Sequence, residues 1–419
     1  MFYDKKVLLS NEKFLEAARK MYACSPEQSA ARLADLAARH AERFGIEGAR
    51  VFSSPGRIEV CGNHTDHNNG KVTAAAVSVD TLAVVTPLAE RKVKICSLGY
   101  PYVEVDVDDL KIDPNEEGTS AALIRGVLKG MQERGYAVGG FAATMTSNVC
   151  KGAGMSSSAS YEVLIAEIVN VLYNGGKAGA VEKAQIAQFA ENVYFGKPSG
   201  LMDQSAIALG GISYIDFRDT KNPEVRKLDW KFDDVSVVVI NCGGDHCDLT
   251  PQYAAIRTEM EMIAAHFGKE KLRFVEKADF YAAIPALIGK YKGRAILRAM
   301  HFFEENDRVD ALVDAIDRGD EATALSLITA SGKSSLEKLQ NLYAEGDNSE
   351  PIPLALAIAS EFDGVKAYRV HGGGFAGTIL TFIAREKEKA FCDYMAKLYG
   401  AESVFPVRIR EAGGTEILL

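Results

Sequence analysis

Pro55-Gly56-Arg57-Ile58-Glu59-Val60-Cys61-Gly62-Asn63-His64-Thr65-Asp66-His67-Asn68-Asn69-Gly70 gathers an arginine, an aspartate, two histidines and three asparagines between glycines, right after a Pro-Gly turn. These side chains offer donors and acceptors to a polyhydroxylated ligand, and the guanidinium offers a cation to a phosphate. The β-type runs Val51-Phe52 and Ile58-Val60 precede the polar stretch, and Val72-Ala76 follows it. The polar residues therefore read as a loop between strands.

The rest of the chain supplies ordinary globular material. Its 419 residues are 47% hydrophobic and 25% charged, enough for two or three cores. A formal charge of -9 argues against a general nucleic-acid binder. Met1-Phe2-Tyr3-Asp4-Lys5-Lys6 opens no signal peptide, and no apolar run is long enough to span a bilayer. The seven cysteines are scattered, with no C-x-x-C pair, which points to reduced thiols and a cytoplasmic location.

Apolar spacing predicts helices between Asn11 and Phe44, with Ser25-Pro26-Glu27 as a helix start. Further helices are expected over Thr119 to Glu133, Ser157 to Tyr173, onward to about Tyr194, across most of Thr250 to Glu345, and over Glu386 to Tyr399. Strands are expected at Gly140-Met145, Gly211-Ile215 and Val235-Asn241, and strand character returns from Glu361 to Ile383. Strands and helices mix without strict alternation, so the pattern predicts an α+β sandwich rather than a doubly wound sheet. The charged, turn-rich stretch Phe217-Asn222 marks a seam. The expected divisions are a helical extension over 1–45 and two domains over 46–217 and 218–419.

A second polar loop, Lys151-Gly152-Ala153-Gly154-Met155-Ser156-Ser157-Ser158-Ala159-Ser160, follows a strand and opens a helix. Such glycines admit close backbone approach, and N–H groups at a helix start attract phosphate. The same pattern is also that of a capped turn. It is not a dinucleotide fingerprint, because Ser157 takes the third glycine position, and Ser331-Gly332-Lys333-Ser334 is no P-loop, because Leu327 takes its first glycine position. Further on, Gly200-Leu201-Met202-Asp203-Gln204 puts an aspartate after a Pro-Ser-Gly turn, where it serves as a helix cap or as a base. His371-Gly372-Gly373-Gly374-Phe375-Ala376-Gly377 joins two β-like runs, and His371 reads as a polar loop residue or a ligand contact.

The first stretch resembles the sugar-recognition motif of galactokinases, in the GHMP kinase superfamily, usually P-G-R-x-N-L-I-G-E-H-T-D-Y-N-x-G. Asn63 stands where that pattern has Glu, and His67 where it has Tyr. The loop from Lys151 resembles the second motif, P-x-G-x-G-L-S-S-S-A. The run from Glu191 to Gln204 resembles E-N-x-x-V-G-x-x-C-G-I-M-D-Q, and the triple glycine resembles G-G-G-F-G-G, with Arg369 matching its preceding arginine. The segment from His246 to Tyr253 and the run Arg298-Ala299-Met300-His301 to Arg308-Val309 extend the likeness, which covers roughly Arg43 to Leu419.

The resemblance implies a two-domain GHMP kinase fold, α+β, with the active site in the interdomain cleft. It implies transfer of the ATP γ-phosphoryl group to the C1 hydroxyl of galactose. By the same resemblance, Gly152, Ala153, Gly154, Met155, Ser156, Ser157 and Ser158 wrap the phosphates, and Ser158 with Glu191 binds Mg²⁺. Asp203 is the base, Arg57 neutralises the moving phosphoryl, and Asn63, His64, Asp66 and Tyr253 hold the sugar. His301 is structural. The implied partners are a sugar and ATP, without nucleic acid or membrane. The changed Asn63 and His67 leave a uronate such as galacturonate as a second substrate, and a non-catalytic sugar sensor is a third reading.

Overall fold

The computed structural model describes the chain except residues 1–2, 151, 153, 244–248, 345 and 376, and the side chain of Thr250. Two sheets organise it. Strands β1 (Arg50–Cys61), β2 (Lys71–Leu88), β3 (Lys92–Ser97), β4 (Val103–Asp106), β5 (Gly140–Ser147), β6 (Ile212–Asp216) and β7 (Glu224–Leu228) build most of the first. Strands β8 (Val235–Gly243), β9 (Val365–Val370), β10 (Gly377–Ala384) and β11 (Val404–Val407) build the second, and β12 (Thr415–Ile417) returns to the first. The orders are β12-β1-β2-β5-β3-β4, with β6 on the first half of the β2 edge whose second half pairs β5, and β7 beyond β6, and β11-β8-β10-β9. Among the strands of the described residues, only β3 and β5 pair in parallel.

The two expected runs at Val51 and Ile58 are one continuous strand. The register with β2 shifts between Pro55 and Gly56, so the expected Pro-Gly turn is a bulge inside β1. A proline lacks the ladder N–H, and a bulge is where a strand tolerates that loss. The first sheet also crosses the seam expected at 217/218, since β7 and β12 belong to it.

Strand β8 explains its own unbroken apolar run. Val237 and Val239 face a core that holds Ile58, Val60 and Val77 of the first sheet, and Val309 and Leu312 of the helix Gly293–Asp317. Val238 and Ile240 face the opposite way, onto Phe391 and Met395 of the helix Glu388–Tyr399. A strand covered on both faces has no reason to alternate. The shared core packs the two sheets against each other, and the polar loops gather where they meet.

The N-terminal helices cover one face of the first sheet. Leu33 and Leu36, from the helix Pro26–Phe44, pack with Val51, Leu82 and Val84. That helix opens with a capping box between Ser25 and Gln28 and has Pro26 at its start. Arg32 pairs with the fully buried Asp80 at 2.5 Å. Phe52, Ala83 and Val85 point to the other face, where the helices Ser120–Glu133 and Ser157–Asn174 close the sandwich.

Candidate active site

Strand β1 brings Arg57 to the seam, and the bulge at Gly56 sits just before it. The guanidinium is buried and holds Asp203 in a two-pronged pair, Nε to Oδ1 at 2.8 Å and Nη2 to Oδ2 at 2.9 Å. Its Nη1 donates to the carbonyl of Gly154 in the glycine-rich loop. Asp203 lies in the first turn of the helix Met202–Leu209 but makes no cap bond there. It accepts instead from the Ser156 hydroxyl at 2.7 Å. Burial pushes this carboxyl up, but the Arg57 charge, Ser156 and Lys197 outweigh it and hold the group below its ordinary value. Asp203 is therefore an ionised acceptor at neutral pH.

Ser156 carries a second mark of a functional site. It precedes the helix Ser157–Asn174 with a left-handed backbone, φ 61°, and gives that helix no cap bond. A non-glycine residue there is strained, and such strain collects where a loop must hold a ligand. The helix start leaves its first N–H groups free for an anion. Gly152 and Gly154 also have positive φ, and Met155 is buried. Lys151 and Ala153 lie outside the described residues.

Next to this loop, the Ser158 hydroxyl donates to Glu191 Oε1 at 2.9 Å. Glu191 sits in the π-helical turn Ala190–Tyr194, a distortion common at functional positions. Lys197 reaches the same oxygen at 3.0 Å, and Gln204 Nε2 binds the other at 2.8 Å. Among the described residues, no three His, Cys, Asp or Glu side chains converge as a cation site. An ion here would rest on Glu191 and Ser158 and complete its shell from phosphate and water, which is how Mg²⁺ is usually held.

The sugar-facing candidates divide. His64 has φ 58°, bonds the carbonyl of Gly373 at 2.9 Å, and is lowered by burial to about 4. Asp66 is half-buried and accepts from the His67 N–H at 2.9 Å. Burial first, then the charge of Asp203, pushes its carboxyl up to about 6. The turn at Gly200 closes on it so tightly that a Cβ there would sit 1.7 Å from Oδ2. Tyr253 donates to the carbonyl of Gly374 at 2.8 Å and meets Phe375 edge-on. His246, Cys247 and Asp248, just before it, lie outside the described residues.

Asn63 departs from its expected role. Its side chain is buried, and every hydrogen-bonding position is taken within the protein. Nδ2 donates to Glu59 Oε1 at 2.8 Å and to the Gly372 carbonyl at 2.9 Å, while Oδ1 accepts from Asn341 at 2.9 Å and Ser335 at 3.2 Å. Glu59 in turn pairs with the fully buried Arg369 at 2.6 Å, and Arg369 reaches the Val60 carbonyl at 2.9 Å. Glu59 stands at the Asn position of the motif pattern, so the Asn and Glu of that pattern are exchanged in this chain and still touch. His67 is likewise held well below its ordinary value, by burial first and then by His64 and nearby cations. It therefore brings no charge to the site at neutral pH. Asn341 and Glu305 went unnoticed as site supports because their partners are far away in sequence, and Glu59, although close to Asn63 in the chain, because its anchor Arg369 is far away. Glu305, for instance, accepts the Gly62 N–H at 2.9 Å. His301 bridges Ser334 and the Asn63 carbonyl, both at 2.9 Å.

Comparison with known proteins adds an independent line. Residues 38–87 match the galactokinase galactose-binding signature, and residues 122–211 match the GHMP kinases N terminal domain. These spans contain Arg57 to Gly70 and Gly152 to Asp203. A galactokinase of Streptomyces coelicolor is 29% identical over 377 residues, which cover 89% of this chain and 95% of that protein. The structure of Lactococcus lactis galactokinase, complexed with galactose, superposes with a TM-score of 0.80 at 25% identity, over 92% of this chain and 99% of that one. Methanococcus jannaschii mevalonate kinase shares the fold at 16% identity, with a TM-score of 0.61 over 87% of this chain and 99% of its own. The ordered motifs, the two-sheet fold and these likenesses agree: the chain carries the galactokinase galactose-binding signature and the GHMP kinases N terminal domain, and it is similar to galactokinases along most of its length.

Proposed function

We propose that this chain transfers the γ-phosphoryl group of ATP to the C1 hydroxyl of galactose. The carrying observation is the Arg57–Asp203 pair, which sets an ionised carboxylate and a buried cation against the glycine-rich loop. Asp203 orients the sugar hydroxyl and takes its proton as the bond to phosphorus forms. A carboxylate held below its ordinary pKa is a weak base, so positioning carries much of its effect, as suits a loose phosphoryl-transfer transition state. Arg57 neutralises charge on the moving group, and the loop from Gly152 to Ser158 cradles the phosphates. Ser158 and Glu191 would hold Mg²⁺, which when bound neutralises charge on the phosphate oxygens. His64, Asp66 and Tyr253 hold the sugar.

Galactose is favoured over galacturonate. The case for a uronate needs Asn63 to face the sugar or His67 to carry charge. Asn63 is saturated by protein partners, and His67 is held neutral. The intact Ser156–Asp203 and Ser158–Glu191 contacts favour an enzyme over a sensor. A cytoplasmic enzyme acting on small molecules fits the free thiols at Cys24, Cys61, Cys96, Cys150, Cys242 and Cys392. The test is purified protein with Mg²⁺ and ATP against galactose, galacturonate, glucuronate, galactosamine and N-acetylgalactosamine, with products read by phosphorus NMR. Galactose 1-phosphate as the main product is expected. Preference for galacturonate, or no product from any sugar, would overturn the assignment.

A further inference from the structure

His371 is buried at 2% exposure, and neither ring nitrogen has a hydrogen-bond partner. Buried polar side chains are nearly always paired, so an orphaned imidazole calls for an explanation. Its position supplies one. The ring lies against the glycine-rich loop, where a Cβ on Gly154 would come within 3.1 Å of His371 Cδ2. Gly154 is also the residue whose carbonyl receives Arg57, so the ring sits beside the reacting end of the site. The charged groups that act on it are Arg57 and Arg369, both cations, and Asp203, whose carboxylate is already held by Arg57 and Ser156. Burial first, then these two arginines, keeps the ring neutral, so one nitrogen carries a proton to donate. Such a donor, near enough to two cations to feel their charge and against the glycine-rich loop, suits an anionic oxygen.

We propose that His371 contacts the nucleotide, its imidazole N–H donating to an oxygen of the γ-phosphoryl group. This rests on the kinase reading above. The transfer itself is unchanged, and His371 adds a hydrogen bond to the group in flight.

The test uses His371→Leu, which keeps bulk and removes the donor, and His371→Gln, which keeps an amide donor. Binding of AMP-PNP and of ADP, each with Mg²⁺, is measured by calorimetry on the whole protein. Loss of one hydrogen bond to a charged group should weaken AMP-PNP binding to the Leu variant about tenfold. ADP should change by less than about twofold, because it lacks the γ group, and the Gln variant should recover most of the AMP-PNP loss. Unchanged AMP-PNP binding, or equal losses for both nucleotides, would overturn the proposal, the second by showing that His371 merely packs the loop. So would two variants that both fail to fold, or a rise in sugar KM alone. Wild-type protein that binds both nucleotides but phosphorylates no sugar would end the function proposed above while leaving the AMP-PNP test of His371 intact.

Discussion

Replacing Asn63 by Glu restores the usual family residue at that position, yet the structure expects damage. The new carboxylate, one methylene further out than the amide, would have to fit the buried cage in which Asn63 Nδ2 now lies 2.8 Å from Glu59 Oε1. Two like charges at ~4 Å repel by about 4 kcal/mol at an effective dielectric of 20. Protonation offers an escape, but holding a glutamate neutral at pH 7 costs about 3.7 kcal/mol from its ordinary pKa, so relief is slight. The Gly372 carbonyl also loses its donor, worth about 1–3 kcal/mol when buried. The total, about 5 kcal/mol or more, rivals the ~5–15 kcal/mol that holds a domain folded. Asn63→Glu should therefore lower the melting temperature by about 10 °C or more. The gap should narrow as pH falls from 8 to 5, because a carboxyl raised by burial and repulsion is relieved by protonation. Adding Glu59→Asn removes the repulsion and returns the pair to the family's order, so the double variant should recover at least about 2 kcal/mol beyond additivity. Differential scanning fluorimetry across pH, with urea titration of all four proteins, measures both quantities. Asn63→Glu melting within about 2 °C of wild type, with additive single and double variants, would refute the reasoning and return Asn63 to the sugar-facing wall.

Three further outcomes follow from the same geometry. Asp203→Asn should lower kcat by about 10²–10⁴-fold, the usual range for removing a general base, with sugar affinity nearly retained; steady-state kinetics showing near wild-type kcat would remove Asp203 from the chemistry. Asp66, raised to about 6, should make the sugar KM fall as pH rises from 5 to 7, and Asp66→Asn should flatten that profile. Because its pKa is raised, its contribution to stability is present at acid pH and lost as pH rises through 6, so Asp66→Asn should gain melting temperature at pH 7 relative to pH 5. Ser158→Ala should raise the Mg²⁺ concentration for half-maximal activity about tenfold, with binding of free galactose unchanged in calorimetry; an unshifted Mg²⁺ curve would remove the hydroxyl from the ion's shell.

Local pattern determined much of this protein. Helical spacing and a Ser-Pro start marked the N-terminal helices, and the apolar run of Val235 to Asn241 marked a buried strand, because hydrophobic period and capping act over a few residues. The motifs carrying Arg57, Ser156, Ser158, Glu191 and Asp203 were legible for the same reason, since each needs a specific short loop or helix start. Which way a side chain faces was not legible. Asn63 turns inward because Gly372, Asn341 and Ser335 wait there, and His371 is buried where its ring meets Gly154 of the glycine-rich loop. The Pro-Gly pair lies in a bulge because β2 continues past it, and the N-terminal helices dock because Asp80 and the face of Val51 and Val84 are there to meet them. Those partners lie from about fifteen to more than three hundred residues away along the chain, and only tertiary packing makes them neighbours.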